Sequence, residues 1–481
     1  GTPPNSIGKF GGDTDNWIWP RHTGDFSMFR VYASKDNRPA AYSPQNVPYR
    51  PKKHFSISTK GVKEGDFTMI YGFPGNTQEY ILSDAVAYIA ERSDPAKIAV
   101  RTGRLDIITK AQESDPALRI HYAAKHASIA NAWKKWQGEA LGIDRRGTVA
   151  AKFDYETQFG LWSVGRPEYA GVVMGLRAEY DRIMDAYFAY EITRETLSTL
   201  PAAYTPEERA EECFARRKFA EQALWRHAFR EYGRCPKVYR TPSYAEGMAR
   251  YKSPEAYADA LFEAVWEGSD SVAMQPAVRL REETKRMLDH ISWMLGTKSL
   301  RNLNSKILNE LYTTYIKGLR EWDRERAFYP DANLTLRVAY GSVAGYEYAD
   351  GEYHKPQTTL DGIIAKDNPE IYDYDIPQSL RDLYASKNYG RWGTVIDGRR
   401  TVPVCFLATN HTTGGNSGSP VLNAGGELIG INFDRTWRST MSDIAFDPAI
   451  CRNIAVDIRY VLFVVDRVGG AGYLLKEMTL K

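Results

Sequence analysis

A serine lies in a glycine-rich turn towards the end of the chain, where Thr413 to Pro420 reads TGGNSGSP. Glycine lets a backbone approach a substrate closely and turn its amide N–H groups inward. A hydroxyl held in such a turn can attack a carbonyl carbon, and the amides of Gly415 and Ser417 could donate to the oxyanion that develops. Ser417 is therefore the first candidate nucleophile.

The residues after this turn could form a wall for an extended peptide. Val421 to Phe433 reads VLNAGGELIGINF, which predicts a strand, a glycine turn and a second strand. Asp434 and Arg435 follow directly.

A second segment, Asp15 to Asp25, reads DNWIWPRHTGD and combines two indoles, a histidine and two carboxylates. His22 lies three residues before Asp25 and His411 lies six before Ser417, so each is a candidate general base. Triad geometry decides such a role, not proximity in sequence. We expect His22 to pack or hydrogen-bond within the tryptophan loop, and His411 to form a wall of the substrate pocket.

Length and charge limit the class of protein. With 481 residues the chain is too long for one compact core, so two or more domains are expected. Its 63 basic and 60 acidic residues leave a formal net charge of +3, which does not support nucleic-acid binding. The apolar run Val461 to Val465 is too short to cross a membrane.

The cysteines predict no metal site. They lie far apart and lack the Cys-x-x-Cys spacing of zinc and redox sites: Cys213, Cys235, Cys405 and Cys451. Buried free thiols are expected. The alternative is one disulfide, which could form if the protein is exported. No metal and no cofactor are expected.

The pattern along the chain predicts three segments. Residues 1–85 read as strands and turns, residues 86–334 as helices, and residues 335–481 as strands again with a hairpin turn at Asp397-Gly398. Four helix starts pair a capping residue with proline, at Asp94, Asp115, Thr205 and Ser253. Thr205 and Glu208 also form a capping box. The helical block interrupts a β domain, and clefts at domain junctions often hold ligands.

Asp15 to Asp25, Thr413 to Pro420 and Phe433-Asp434-Arg435 together closely resemble the exported bacterial dipeptidyl-peptidases 7 and 11. The resemblance covers essentially the whole chain. It implies an α+β multidomain protein, a chymotrypsin-like double β-barrel with a large inserted all-α domain. The family's catalytic histidine lies in the first barrel, which is expected to be largely missing before Gly1, and none of the eight histidines here matches its context. The chain begins GTPP, neither an initiator methionine nor a signal peptide.

Carried over residue by residue, the resemblance implies that Ser417 is the nucleophile and that Asp25 orients the catalytic histidine. Gly415 then contributes to the oxyanion site.

Four further residues resemble the family's clamp on the free amino terminus of a peptide: Asn16, Trp17, Asn131 and Asp434. An α-ammonium would pair with the carboxylate and an amide oxygen while the indole shields the contact. Such a clamp counts two residues to the scissile bond. For Asn131 an exposed helical position is the alternative.

Arg435 occupies the position that separates family members accepting apolar residues next to the cleaved bond from those accepting acidic ones, and it resembles the latter. The alternative is a salt bridge to Asp434 or a solvated strand residue. Neighbouring strand residues point to opposite faces, so both side chains can serve one pocket only at a bulge or a strand end. We therefore predict an irregularity here.

These observations predict an exported serine dipeptidyl-peptidase that prefers Asp or Glu as the second residue. The alternatives are an inactive peptide-binding relative and an enzyme of the same fold with an apolar preference. The resemblance implies peptide substrates with a free amino terminus, a homodimer, and the periplasm or cell surface of a Gram-negative bacterium. No nucleic acid or membrane is expected as a partner.

Two expectations concern the extent of the chain. The interval from Asp25 to Ser417 is shorter than the family resemblance implies, with helical segments expected to be missing near Gly268 to Ala277. Because the family's histidine is not among these residues, the 481-residue chain alone is predicted to be inactive.

Overall fold

The computed structural model describes residues 1–268, 271–296 and 303–481. The chain divides into two compact units. We call residues 1–79 with 331–481 the sheet unit, and residues 80–330 the helical unit. The protein is of the α+β class, as predicted.

The sheet unit contains the strands. In chain order they are β1 (Tyr32–Ala33), β2 (Val47–Pro48), β3 (Phe67–Gly72), β4 (Arg337–Ser342), β5 (Tyr346–Ala349), β6 (Glu352–His354), β7 (Gln357–Thr359), β8 (Thr394–Ile396), β9 (Arg399–Thr401), β10 (Pro403–Ala408), β11 (Ser419–Leu422), β12 (Leu428–Arg435) and β13 (Asn453–Asp457).

One seven-stranded antiparallel sheet joins the two parts of this unit, in the order β4-β3-β11-β12-β13-β10-β7. A single bridge between Val343 and Ala408 connects the residue after β4 to the last residue of β10. β10 is buried along its whole length, as its apolar sequence requires. Apolar side chains of β3, β10, β11 and β12 form one buried cluster of this sheet.

Two sequence expectations for this unit have different outcomes. The hairpin turn is confirmed: Asp397 and Gly398 have φ of 50° and 75°, as a type I′ turn between β8 and β9 requires. Of the strands and turns predicted for residues 1–85, the strands are few and short: β1 and β2 have two residues each, and only β3 is longer. Prolines in this segment lack the N–H that a strand ladder needs.

The helices in chain order are α1 (Asn5–Gly8), α2 (Ser83–Ala87), α3 (Asp94–Ser114), α4 (Pro116–Arg145), α5 (Thr148–Ser163), α6 (Val172–Glu195), α7 (Pro206–Ala210), α8 (Lys218–Tyr232), α9 (Pro242–Tyr251), α10 (Pro254–Glu267), α11 (Ser271–Met294), α12 (Lys306–Trp322), α13 (Leu360–Lys366), α14 (Gln378–Ala385) and α15 (Ile458–Phe463). Those from α2 to α12 belong to the helical unit. Its core is rich in tyrosine, phenylalanine and tryptophan.

Three of the four predicted helix starts are confirmed. Asp115, Thr205 and Ser253 each accept a hydrogen bond from a first-turn amide, and Thr205 forms the predicted capping box. At Asp94 the outcome is mixed: α3 begins at Asp94 with proline next, but Asp94 does not cap it. Helical structure already begins at Ser83 and reaches Asp94 through a π-helical turn, Tyr88–Ser93, whose wider hydrogen-bond pattern accommodates the proline that follows.

Three further observations complete the fold. Within the part of the chain that the structure describes, no helix is both long and apolar enough to span a bilayer. All four cysteines are buried thiols. Of the stretch Gly268 to Ala277, where helical segments were expected to be missing, residues 269 and 270 lie outside the described residues, and α11 begins at Ser271.

Candidate active site

The serine turn connects β10 to β11 and exposes Ser417. Asn416 organises it: the buried Asn416 side chain accepts from the amide of Thr413 at 3.1 Å, and the Asn416 amide donates back to the Thr413 carbonyl at 3.0 Å. Gly415 has φ of +105°, and a Cβ there would collide with the carbonyl oxygen of Phe73. Only glycine therefore fits this position without strain.

The turn offers hydrogen-bond donors next to the hydroxyl. Among the described residues, the amide N–H groups of Gly415 and Ser417 have no protein acceptor. The Ser417 hydroxyl donates to the carbonyl oxygen of Phe433 at 3.2 Å. The predicted nucleophile is thus linked to β12 one residue before Asp434.

The predicted irregularity in β12 is confirmed. The pairing with β13 shifts between Asn432 and Asp434, so Phe433 is an extra residue on this strand, and the strand ends at Arg435. A bulge of this kind re-aims the side chains that follow it. Trp17 contacts both of them: its amide donates to Asp434 Oδ2 at 3.3 Å, and its ring lies 5.6 Å from the Arg435 guanidinium carbon.

Asp434 is paired with an arginine of the tryptophan loop. Arg21 Nη1 donates to Asp434 Oδ2 at 2.7 Å, and both side chains are almost fully buried. Arg21 also donates to Thr23 Oγ1 at 2.5 Å and to the Asp15 carbonyl at 2.9 Å. These bonds fix the loop that carries Asn16 and Trp17 against the end of β12. Trp17 has a φ of 67°, which is uncommon for a residue with a side chain.

Arg435 is paired with Asp443 and not with Asp434, so both alternatives considered for it, the salt bridge to Asp434 and a solvated position, are wrong. Its Nη1 lies 2.6 Å from Asp443 Oδ1, its Nη2 lies 2.8 Å from Oδ2, and the residue is only 4% exposed. Nη1 also donates to the Thr412 carbonyl at 3.1 Å and to Ser442 Oγ at 2.8 Å. The guanidinium is therefore held in a fixed plane.

Asp25 follows Gly24 in the same loop; the residue as a whole is exposed, but surrounding protein atoms partly desolvate its carboxyl group. Loss of water around its carboxyl group raises the pKa of Asp25, while the charge of Arg21 opposes the rise and that of Asp434 adds to it. Both members of the buried ion pair, Arg21 and Asp434, thus also act on Asp25.

Neither neighbouring histidine has the surroundings of a general base for Ser417. His22 is buried against Gly362, and burial together with the charges of Lys366 and Arg21 lowers the pKa of His22 to about 3. The Nε2 of His411 lies 3.0 Å from the Ser442 carbonyl, and its ring stacks on Phe446 at 4.5 Å. Burial lowers the pKa of His411.

Asn131 belongs to the helical unit, where it lies on α4 with an exposed side chain. Its part in the amine clamp stays a prediction.

Comparison with known proteins places the chain in a family. The profile of Peptidase S46 matches residues 1–218 and 205–480. The chain belongs to the Peptidase S46 family.

Named relatives of this S46 protein fall into two groups. It is 41% identical over 526 aligned positions to the Asp/Glu-specific dipeptidyl-peptidase of Capnocytophaga gingivalis, an alignment that covers 100% of this chain and 72% of the relative. It is 34% identical to dipeptidyl-peptidase 7 of Phocaeicola vulgatus, over 99% of this chain and 71% of the relative. The crystal structure of Porphyromonas endodontalis DPP11 in complex with the dipeptide Arg-Glu matches with a TM-score of 0.84 and 34% identity, covering 100% of this chain and 74% of that one.

Sequence reasoning about this S46 protein missed the residues that support the site. Arg21 pairs with Asp434 and Asp443 pairs with Arg435, and the spacing of these residues in the sequence does not predict either pair. A chain of buried asparagines was also missed, in which Asn453 Nδ2 donates to Asn432 Oδ1 at 2.9 Å and Asn432 Nδ2 donates to the Asn416 carbonyl at 3.2 Å. An asparagine within a buried strand was the only available signal, because it must find partners inside the protein.

Among the residues that the structure describes, one group of possible metal ligands occurs in the helical unit of this S46 protein. Donor atoms of His121, Glu211 and Cys213 lie within 4.8 Å of one another. Arg217 Nη1, which can only donate, lies 2.8 Å from His121 Nε2, so the proton of the neutral ring is on Nδ1, facing Glu211 at 3.4 Å. This arrangement is a hydrogen-bond chain rather than a set of metal ligands.

Proposed function

We propose that this S46 protein is a serine dipeptidyl-peptidase that releases N-terminal dipeptides and prefers Asp or Glu as the second residue. One observation carries the proposal. The end of β12 combines an acceptor for the Ser417 hydroxyl, a carboxylate and a guanidinium in three consecutive residues, Phe433, Asp434 and Arg435. The relative from C. gingivalis is named an Asp/Glu-specific dipeptidyl-peptidase, and DPP11 of P. endodontalis was crystallised with Arg-Glu.

The proposed chemistry is acyl transfer through Ser417. Its oxygen attacks the carbonyl carbon of the second peptide residue, and its proton passes to a histidine oriented by Asp25. The amides of Gly415 and Ser417 stabilise the oxyanion. The histidine then protonates the leaving amine, and water hydrolyses the dipeptidyl ester to release the dipeptide. We propose that this histidine is supplied from outside the 481 residues.

Substrate register would be set by the two charged groups. Asp434, with Asn16, Trp17 and Asn131, binds the free α-ammonium group, so that two residues fit before the scissile bond. Arg435 binds the acidic side chain of the second residue.

For the architecture, we propose a chymotrypsin-like barrel built from residues 1–85 and 335–481, with an inserted helical domain at 86–334 and a first barrel supplied from outside these residues. The strand order from β4 to β10 supports a barrel. The bridge between Val343 and Ala408 joins the ends of β4 and β10, which are the first and sixth strands in the order of the sheet. From the family resemblance we also propose export to the periplasm or cell surface and a homodimer.

Matched fluorogenic peptides test the proposal in the chain extended by the residues that its relatives carry beyond this match. Substrates with Asp, Glu or Leu as second residue are compared, each with a free and with an acetylated amino terminus. The free acidic peptides should give the highest kcat/KM, and acetylation should abolish cleavage because the ammonium group is lost. Efficient turnover of acetylated peptides would indicate an endopeptidase, and preference for Leu would indicate the apolar specificity. Binding without turnover would indicate an inactive peptide-binding relative.

A further inference from the structure

The guanidinium of Arg435 is held by a carboxylate that belongs to the protein itself. Asp443 meets both Nη atoms, at 2.6 and 2.8 Å, and the two side chains are 5% and 12% exposed. A bidentate pair fixes the orientation of the guanidinium plane as well as its position. The group proposed to recognise an acidic substrate is thus already oriented and charge-compensated.

The segment that presents Asp443 is itself well anchored. Asp443 is the last residue of a 3₁₀ helix, Trp437–Asp443, which begins two residues after Arg435. The Asp443 carbonyl accepts a hydrogen bond from the Gln78 amide at 2.6 Å. The hydroxyl oxygen of the preceding residue, Ser442, accepts one from Arg435 Nη1 at 2.8 Å. The Asp443 carboxylate is therefore presented to Arg435 by a short 3₁₀ helix whose last residues are held by hydrogen bonds.

Charge balance explains why such a partner is needed. A guanidinium that is only 4% exposed is strongly disfavoured without a counter-ion. Before substrate binds, Asp443 supplies that counter-ion. The arginine is then ready in one orientation when the side chain of a substrate arrives, and no rotamer search is needed.

We propose that Asp443 is a positioning residue for acidic-substrate recognition, which holds Arg435 in the orientation that receives the carboxylate of the second peptide residue. The inference rests on the proposed function, since it assigns Asp443 a role only through Arg435. The opposing possibility is that Asp443 competes with the substrate for the guanidinium. The two differ in sign: loss of the Asp443 charge weakens acidic preference if it positions Arg435 and strengthens it if it competes.

The test is the ratio of kcat/KM for a Glu peptide to that for a matched Leu peptide, measured in one preparation of the active enzyme. This ratio does not depend on the fraction of folded protein, so a poorly folding variant remains informative. Asp443→Asn should lower the ratio at least about tenfold, mainly through KM of the Glu peptide, because the buried charge pair is broken. Asp443→Glu keeps the charge and should recover part of the ratio.

Asp457→Asn is the matched control. Asp457 forms a similar buried fork with Arg459, at 2.9 and 2.7 Å, at the far end of β13 from the residue that pairs with Arg435. Its loss should reduce stability or yield but leave the Glu-to-Leu ratio unchanged. A ratio that falls equally in both variants would overturn the positioning role.

Arg435→Gly and the wild-type enzyme together separate failure of this inference from failure of the proposed function. If Arg435→Gly leaves acidic preference intact, Arg435 does not recognise the acidic side chain, and the roles of Arg435 and Asp443 are both rejected; absence of acidic preference in the wild-type enzyme would reject the proposed function itself. If Arg435→Gly removes acidic preference but Asp443→Asn keeps or raises it, only the positioning role is rejected. In the double variant, Asp443→Asn should cause no further loss of acidic preference, because no guanidinium remains to be positioned.

Discussion

At the scale of single residues, Arg21 acts electrostatically on two carboxylates that have different proposed tasks, Asp434 and Asp25. It donates to Asp434 at 2.7 Å, and its positive charge opposes the rise that loss of water causes in the pKa of Asp25. One buried cation therefore acts on both Asp434 of the proposed amine clamp and Asp25, which is proposed to orient the histidine. The direction of this effect on the pKa of Asp25 can be tested by the pH dependence of kcat/KM.

Arg21→Met should move the acidic limb of the kcat/KM profile to higher pH. Removing a nearby positive charge raises the pKa of Asp25 and of any imidazole that Asp25 binds. That imidazole can accept a proton from Ser417 only when it is neutral, so activity begins at a higher pH. On the acidic side, each pH unit of displacement costs about tenfold in rate. The measurement is a pH profile from a free-amine Glu peptide.

Lys9→Met provides the comparison, since Lys9 also lowers the pKa of Asp25 but ranks below Arg21 among the causes. It should move the limb in the same direction and by less. An equal or larger displacement with Lys9→Met, or none with Arg21→Met, would contradict the assignment.

The identities of the candidate site residues could be predicted from the sequence, but the residues that pair with them could not. Ser417 could be predicted from its glycine-rich turn, whereas Asp434 and Arg435 were predicted from the family resemblance. The pairing of Arg435 with Asp443 rather than with the adjacent Asp434 could not be predicted, because consecutive strand residues diverge and the chain between 436 and 443 turns back as a 3₁₀ helix. Sequence gives the charges but not the path that brings them together.

At the scale of elements, the serine turn has space for a Cβ at Gly414 but not at Gly415. Gly415 has φ of +105° and backbone atoms of Phe73 and Gly75 close to where a Cβ would stand, whereas no atom lies within 4 Å of that position at Gly414. Substitution at these two positions therefore separates loop geometry from a general effect of alanine.

Gly415→Ala should lower kcat on the order of 100-fold, because the displaced amide no longer meets the oxyanion. Forcing a side chain into the left-handed region also costs about 1–2 kcal/mol of unfolding free energy. Gly414→Ala should leave both kcat and the melting temperature close to wild type. Equal losses in the two variants would remove the Gly415 amide from its proposed role.

The run from α2 to α3 shows a limit of helix-start signals. Asp94 before a proline has the sequence of an N-cap, yet it is fully buried inside a continuous helical run because the π-helical turn before it absorbs the proline. Tertiary burial overrode a local signal. The same burial gives Asp94 an unusual titration.

Asp94 should make stability depend on pH. Burial raises the pKa of Asp94 to about 7, Lys97 and Lys135 oppose the rise, and Glu139 adds to it. The unfolded chain loses this proton at about pH 4, so the stability that the group contributes below that pH is lost as pH rises towards 7. Relative to wild type, Asp94→Asn should therefore gain unfolding free energy as pH rises, by at most about 1.4 kcal/mol per unit.

Urea unfolding followed by far-ultraviolet circular dichroism between pH 4.5 and 8 measures this difference. Asp144→Asn on α4 removes an exposed carboxylate and should follow the wild-type pH dependence. A constant difference between Asp94→Asn and wild type across this range would reject the assignment.

At the scale of the whole molecule, the order of strands, helices and strands could be predicted because hydrophobic periodicity and capping are local signals. Residues 80–330 form a helical unit, and the sheet is built from the segments on either side of it. The loops of residues 1–66 could not be predicted. They are fixed by contacts distant in sequence, such as Arg21 with Asp434, rather than by their own propensities.

The source of the general base is also a property of the whole molecule. His22 is buried with a pKa of about 3, and His411 is engaged with Ser442 and Phe446, so neither is suited to take a proton from Ser417. The 481-residue chain alone should therefore not hydrolyse a free-amine Glu peptide above the rate in buffer. The same chain, extended by the residues that its relatives carry beyond this match, should hydrolyse it, and Ser417→Ala should abolish that activity. Turnover by the 481 residues alone that disappears with His22→Ala or His411→Ala would instead place the base within this chain.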